Sequence, residues 1–132
     1  MNELPEYFFR VRENGAVAFR VDTENRQRRI EMEQIAIINT NRGDFKAHGS
    51  YELTGKDSTA IQNWLDDRMK MLAQRQIDDI HRAIDHMNMT AQWVQSKASD
   101  DDLDQVTEGL LLAMHDLRSA LVRKKADRVK KD

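Results

Sequence analysis

From Ala73 onward the apolar residues fall at Ala73, Ile77, Ile80, Ile84, Met87, Ala91, Val94 and Ala98, in steps that alternate four and three. That is a heptad seam held for more than three heptads, and it commits this stretch to a long amphipathic helix lying against a second helix. Ser99-Asp100-Asp101-Asp102 interrupts the seam with a capping residue followed by acids suited to a helix N-terminus. A second seam then runs through Leu103, Val106, Leu110, Ala113, Leu117 and Ala120. Leu111, Met114 and Leu121 widen it beyond what a two-helix contact uses. No Pro or Gly stands at the break, so one continuous helix is the alternative to a hairpin.

The first helix reads as starting at Gly55-Lys56-Asp57-Ser58, with Asp57 or Ser58 as N-cap, and Ile61, Trp64, Leu65, Met69 and Leu72 mark one face. At 1.5 Å per residue, a helix from 58 to about 97 spans about 60 Å, and one from 100 to about 126 folds back over roughly two-thirds of it. The unmatched part, residues 58–72, is left to cover something else, with Trp64 buried and Trp93 at most partly so.

What it covers is legible upstream. Tyr7, Phe9 and Val11 alternate with Phe8, Arg10 and Arg12, and Val17, Phe19 and Val21 alternate with Ala18 and Arg20. Asn14-Gly15 between them is hairpin-turn chemistry. The run Arg29 to Ile38 changes phase, with Ile30 and Met32 in one register and Ile35 and Ile37 in the other, which places a β-bulge near Glu33-Gln34. Asn39 to Asp44 is a turn, and Phe45, Ala47, Gly49, Tyr51 and Leu53 alternate with polar residues as a fourth strand. The fold expected is α+β: a four-stranded antiparallel β-sheet (a meander) over residues 1–56, then a long antiparallel two-helix hairpin over 57–126 packed on the sheet in the same domain. A basic tail, 127–132, ends the chain.

Composition narrows the function. The chain has 132 residues, a formal net charge of −2 and no Cys, which excludes a disulfide framework, zinc ribbons, iron–sulfur ligation and a thiol nucleophile. No apolar run approaches the ~20 residues of a membrane span, and Glu3 and Glu6 replace the basic start of a signal peptide. The expectation is a cytoplasmic protein with no membrane partner. Charge is unevenly spread: neutral over 1–56, −7 over 57–117 and +5 over 118–132.

No catalytic motif is present: no Gly-rich phosphate loop, no Gly-x-Ser-x-Gly and no His-Glu-x-x-His. The pairs Asp66-Asp67 and Asp78-Asp79 are helix neighbours pointing about 100° apart, so neither is a carboxylate dyad. His81, Asp85, Asp78 and His86 have helical spacing, but His81 only flanks the Ile80–Ile84 seam, His86 points away, and His115 lies opposite Leu110 and Leu117. A solvated face of ion pairs is the reading, with no metal and no cofactor. Arg42-Gly43-Asp44 reads as a hairpin turn. Arg10, Arg12 and Arg20 read as the outer face of the first hairpin, joined by Lys46 and His48, with Arg26, Arg28 and Arg29 in the adjoining loop. Glu31, Glu33 and Glu52 are expected to neutralise that face.

Two surpluses remain. The macrodipole favours cations in a last helical turn, but Arg118, Arg123, Lys124, Lys125, Arg128, Lys130 and Lys131 are more than it requires. They are either solubilising or a polyanion-binding arm for an acidic protein or nucleic acid. The wide stripe with Leu111, Met114 and Leu121 points to self-association. The leading expectation is a small non-catalytic interaction or assembly protein, homodimeric through its helical hairpin. The alternative is a nucleic-acid-associated regulator using the basic tail and the Arg face. A pocket enzyme or ligand sensor has no residue-level support.

Overall fold

The computed structural model describes residues 4–22 and 30–131. Among them run four strands, β1 (Tyr7–Arg12), β2 (Gly15–Val21), β3 (Met32–Asn39) and β4 (Asp44–Ala47), and two helices, α1 (Gly55–Ser96) and α2 (Asp100–Lys131). The strands form one antiparallel meander in the order β1-β2-β3-β4, as the α+β reading requires. By contact the chain divides into two units, Met1–Asp79 and Ile80–Asp132. Arg26, Arg28 and Arg29 lie outside the described residues.

In the first unit, Ala16 and Ala18 of β2, Ile35, Ala36 and Ile38 of β3, and Ile61 and Leu65 of α1 form the buried core. The Ile61–Leu65 face of the helix therefore covers the sheet, as the length argument anticipates. Three alanines on the sheet leave room for the helix to approach closely. Tyr7, Phe9, Phe45, Tyr51, Leu53 and Trp64 pack around the margin. Trp64 is half-buried rather than enclosed, its ring stacked on Phe9 with centroids 4.8 Å apart.

Several local expectations shift. The first hairpin turns at Glu13–Asn14, and Gly15 opens β2 opposite Arg12. Gly15 is needed there for close approach: a Cβ would stand 1.9 Å from the Ile38 carbonyl oxygen. The β2 facing is the reverse of that expected. Cross-strand partners share a face, and the pairs are Tyr7 with Arg20, Phe9 with Ala18, and Val11 with Ala16. Small residues thus face α1, while Phe8–Phe19 and Arg10–Val17 occupy the opposite face. The bulge falls at Ile35, where the register slips opposite Ala18 and Phe19, one residue beyond the expected place. The fourth strand ends at Ala47 rather than running to Leu53; Gly49 takes a positive φ of 54° and Tyr51 N donates to His48 O. Arg42 and Gly43 lie in the turn before Asp44 opens β4, with Gly43 at φ 76° and Arg42 N donating to Asn39 Oδ1.

Both helices begin with a reciprocal capping box. Thr54, not Asp57 or Ser58, caps α1: Asp57 N donates to Thr54 Oγ1 at 3.0 Å and Thr54 N to Asp57 Oδ2 at 3.1 Å. The same exchange joins Ser99 and Asp102, at 3.1 Å each way. Before it, Lys97 N and Ala98 N both donate to Trp93 O at 2.9 Å, which closes α1. Local capping thus breaks the helix without Pro or Gly, and the three-residue link makes a hairpin of α2 and the part of α1 that lies in the second unit. Residues 127–131, expected as a tail, continue α2.

Candidate functional site

The hairpin does not bury its own seam. Ile84 and Met87 on α1 are 48% and 47% exposed, and Leu117 on α2 is 52% exposed. Within the second unit a groove of about 470 Å³ separates the two helices, walled by Met87, Ala91 and Val94 on one side and by Val106, Leu110 and Met114 on the other. At 100° per residue the α1 seam from Ile80 to Val94 is a narrow stripe. The apolar stripe of α2, from Ala120 round to Leu111 and Val122, spans about 200°, twice what one packed face uses. The surplus apolar surface therefore belongs to α2.

Leu111 and Met114 both line the groove. Leu121 lies farther along α2, on the same stripe as Leu110 and Met114. Leu111, Met114 and Leu121 are 60%, 51% and 62% exposed. No helix of the described residues is long and apolar enough to cross a membrane.

Of the basic residues near the C-terminus, Lys124, Arg128 and Lys130 surround a hollow of about 370 Å³ that also includes Asp127. Arg123 and Lys125 are exposed on α2 and do not line it. Lys131 closes the helix. Among the described residues no group of three His, Asp or Glu side chains gathers where a metal ion could be held.

The arginines divide. Arg10 and Arg12 lie on the face of the sheet away from α1, but Arg20 lies on the α1 side, with Nη2 3.9 Å from Asp57 Oδ1. This Asp57 centre is the feature the sequence reading does not find. The carboxylate is wholly buried. Tyr7 donates its hydroxyl to Oδ1 at 2.5 Å, and Tyr51 donates to Oδ2 at 3.3 Å. Burial pushes the Asp57 carboxyl up, but hydrogen bonds from Tyr7 and Thr54 and the Arg20 charge outweigh it and hold the group below the usual carboxylate range. Burial, with the hydrogen bond to Asp57, raises the Tyr7 phenol to about 12. Burial and then the Asp57 charge raise Tyr51 as well.

Every oxygen of Asp57 is engaged and none reaches solvent, so the group braces β1, β2, the Tyr51 segment and α1 rather than serving a substrate. The Thr54-x-x-Asp57 spacing is its only local signal. Tyr7 is fifty residues away.

Against protein-family models, curated proteins and solved structures, the chain matches none.

Proposed function

We propose that this chain is a small non-catalytic interaction or assembly protein that dimerises through its helical hairpin. The observation that carries the reading is the half-exposed apolar seam on both helices of the second unit, with the surplus concentrated on α2. Fully burying one such Leu is worth ~1.5–3 kcal/mol, so a hairpin that leaves a row of them half in water is incomplete as a folding unit. Two hairpins packed as a four-helix bundle supply the missing layer.

The charge on α2 favours a second copy as the occupant. Its N-terminal part carries Asp100, Asp101, Asp102, Asp104 and Glu108, and its C-terminal part carries Arg123, Lys124, Lys125, Arg128 and Lys130. Two α2 helices related by a two-fold axis and running antiparallel set each acidic half against the partner's basic half, with the axis near Met114. A parallel pairing sets like on like. The basic residues then have a use beyond solubility and need no polyanion.

Leu111→Glu combined with Leu121→Glu places two carboxylates in the proposed contact. The variant is expected to sediment as a monomer and to retain the circular dichroism of the sheet. A double variant that sediments as the wild type does would exclude this face as the interface.

A further inference from the structure

The face of the sheet turned away from α1 has a composition that dimerisation of the hairpin does not explain. Phe8 and Phe19 are cross-strand partners on it, their ring centroids 6.2 Å apart. The Arg10 guanidinium lies over both rings, 4.7 Å from the Phe19 centroid and 5.9 Å from that of Phe8. Phe8 is 41% exposed. Beside them Arg12 on β1 and Lys46, paired with Ile37, border a hollow of about 590 Å³ whose floor includes Val17 and Ile37.

Two of the carboxylates expected to neutralise this surface are elsewhere. Glu33 pairs with Arg20 on the α1 side, and Glu52 lies beyond the end of β4. Asp44, at the rim, is held by Arg42 Nε at 3.2 Å. Glu13 also lines the hollow, so Arg10, Arg12 and Lys46 outnumber it as three cations on an apolar, aromatic surface.

We propose that this sheet face binds single-stranded nucleic acid, with bases stacking on the Phe8–Phe19–Arg10 cluster and phosphates meeting Arg12 and Lys46. Exposed rings and a guanidinium plane accept the π-face of any base, and cations beside them track a backbone. A second copy is a poor occupant, because two copies of this face bring like charges together. A duplex keeps its bases in the stack and offers the rings nothing. The proposal does not rest on dimerisation of the hairpin.

The test uses the full chain and a fluorescein-labelled oligothymidylate of about 15 nucleotides, near the upper site size of one such platform. Anisotropy titrations are run from about 50 to about 200 mM salt, the range over which phosphate contacts show in the slope. A duplex of the same length and polyglutamate serve as competitors.

The single strand is expected to bind, and neither competitor to displace it. Phe8→Ala should weaken binding roughly five- to hundred-fold, the scale of one lost base stack. Phe8→Trp, which keeps a ring and serves if the alanine variant misfolds, should retain binding and show indole quenching on titration. Arg12→Ala with Lys46→Ala should flatten the logarithmic salt slope by about 1.4, for two phosphates on a single strand.

Absence of binding at the lowest salt would overturn the proposal. Binding that Phe8→Ala leaves unchanged, with the variant folded, would move the site away from this face. Displacement by polyglutamate at equal charge concentration would assign the face to an acidic protein instead.

Discussion

Asp57 is the side chain on which the first unit most depends, and its replacement is the perturbation with the most readable outcome. Asp57→Ala removes the acceptor of three donors: the Tyr7 hydroxyl, the Tyr51 hydroxyl and the Thr54 backbone N–H. The two phenols are at the margin of the core and water can reach them in part, so each costs about 1 kcal/mol. Loss of the capping exchange at the start of α1 costs about 1 kcal/mol more. The total is about 3 kcal/mol. Asp57→Asn keeps the shape and one acceptor oxygen but turns an N–H2 toward a donor, so it should fall between wild type and alanine.

Urea unfolding reads this directly in a Trp93→Phe background, where Trp64 reports on the first unit through its stack on Phe9. The pH dependence has a definite sign. The folded pKa of Asp57 lies below the unfolded value, so the stabilisation is fully present above about pH 4 and is lost as pH falls through the folded pKa. The gap between wild type and Asp57→Ala is therefore widest at neutral pH and closes in acid. A gap below about 0.5 kcal/mol at neutral pH, within the range of an ordinary surface change, or one that widens on acidification, would refute the bracing role.

At the alkaline end, Tyr7 holds its proton to about pH 12 in the fold but only to about 10 when unfolded. Stability should be intact below pH 10 and decline from there through pH 12, and the decline should shrink in Tyr7→Phe when unfolding is followed by Trp64 fluorescence. Gly15→Ala drives a methyl into the Ile38 carbonyl and should cost at least the ~1–3 kcal/mol of overpacking; a thermal melt within a degree of wild type would show that β2 and β3 are not so close. Ser99→Ala, which removes the Oγ acceptor of the Asp102 N–H, should cost about 1 kcal/mol, and hydrogen exchange should localise the loss to the first turn of α2.

The two seams and the Ser99 cap were legible because they are local, repeated signals: a period of 3.5 and a four-residue exchange of hydrogen bonds. The first three strands were legible for the same reason, as runs of alternating residues, whereas the alternation from Gly49 to Leu53 continues past the end of β4. The facing of β2 was not. Gly15-Ala16-Val17-Ala18-Phe19 is apolar in both phases, so alternation does not say which side is inward. The turn at Glu13–Asn14 and the need of α1 for small residues beneath Ile61 and Leu65 decide it. That inversion puts Arg20 and Glu33 on one face and Phe19 on the other, while Arg10 and Arg12 keep the outer face expected of them. The Asp57 centre was hidden for a different reason: its partners come from β1, β2 and the segment after β4, and no local pattern announces a meeting across fifty residues.

If a second copy of the same chain closes the open seam of the hairpin, the protein in solution is a dimer. Light scattering of the purified protein across a micromolar concentration series tests it most directly. A dimer gives about 31 kDa, twice the 15.4 kDa of one chain, at all but the lowest concentrations. The antiparallel charge pairing also makes salt loosen the dimer. A mass near 15.4 kDa throughout the series would contradict it.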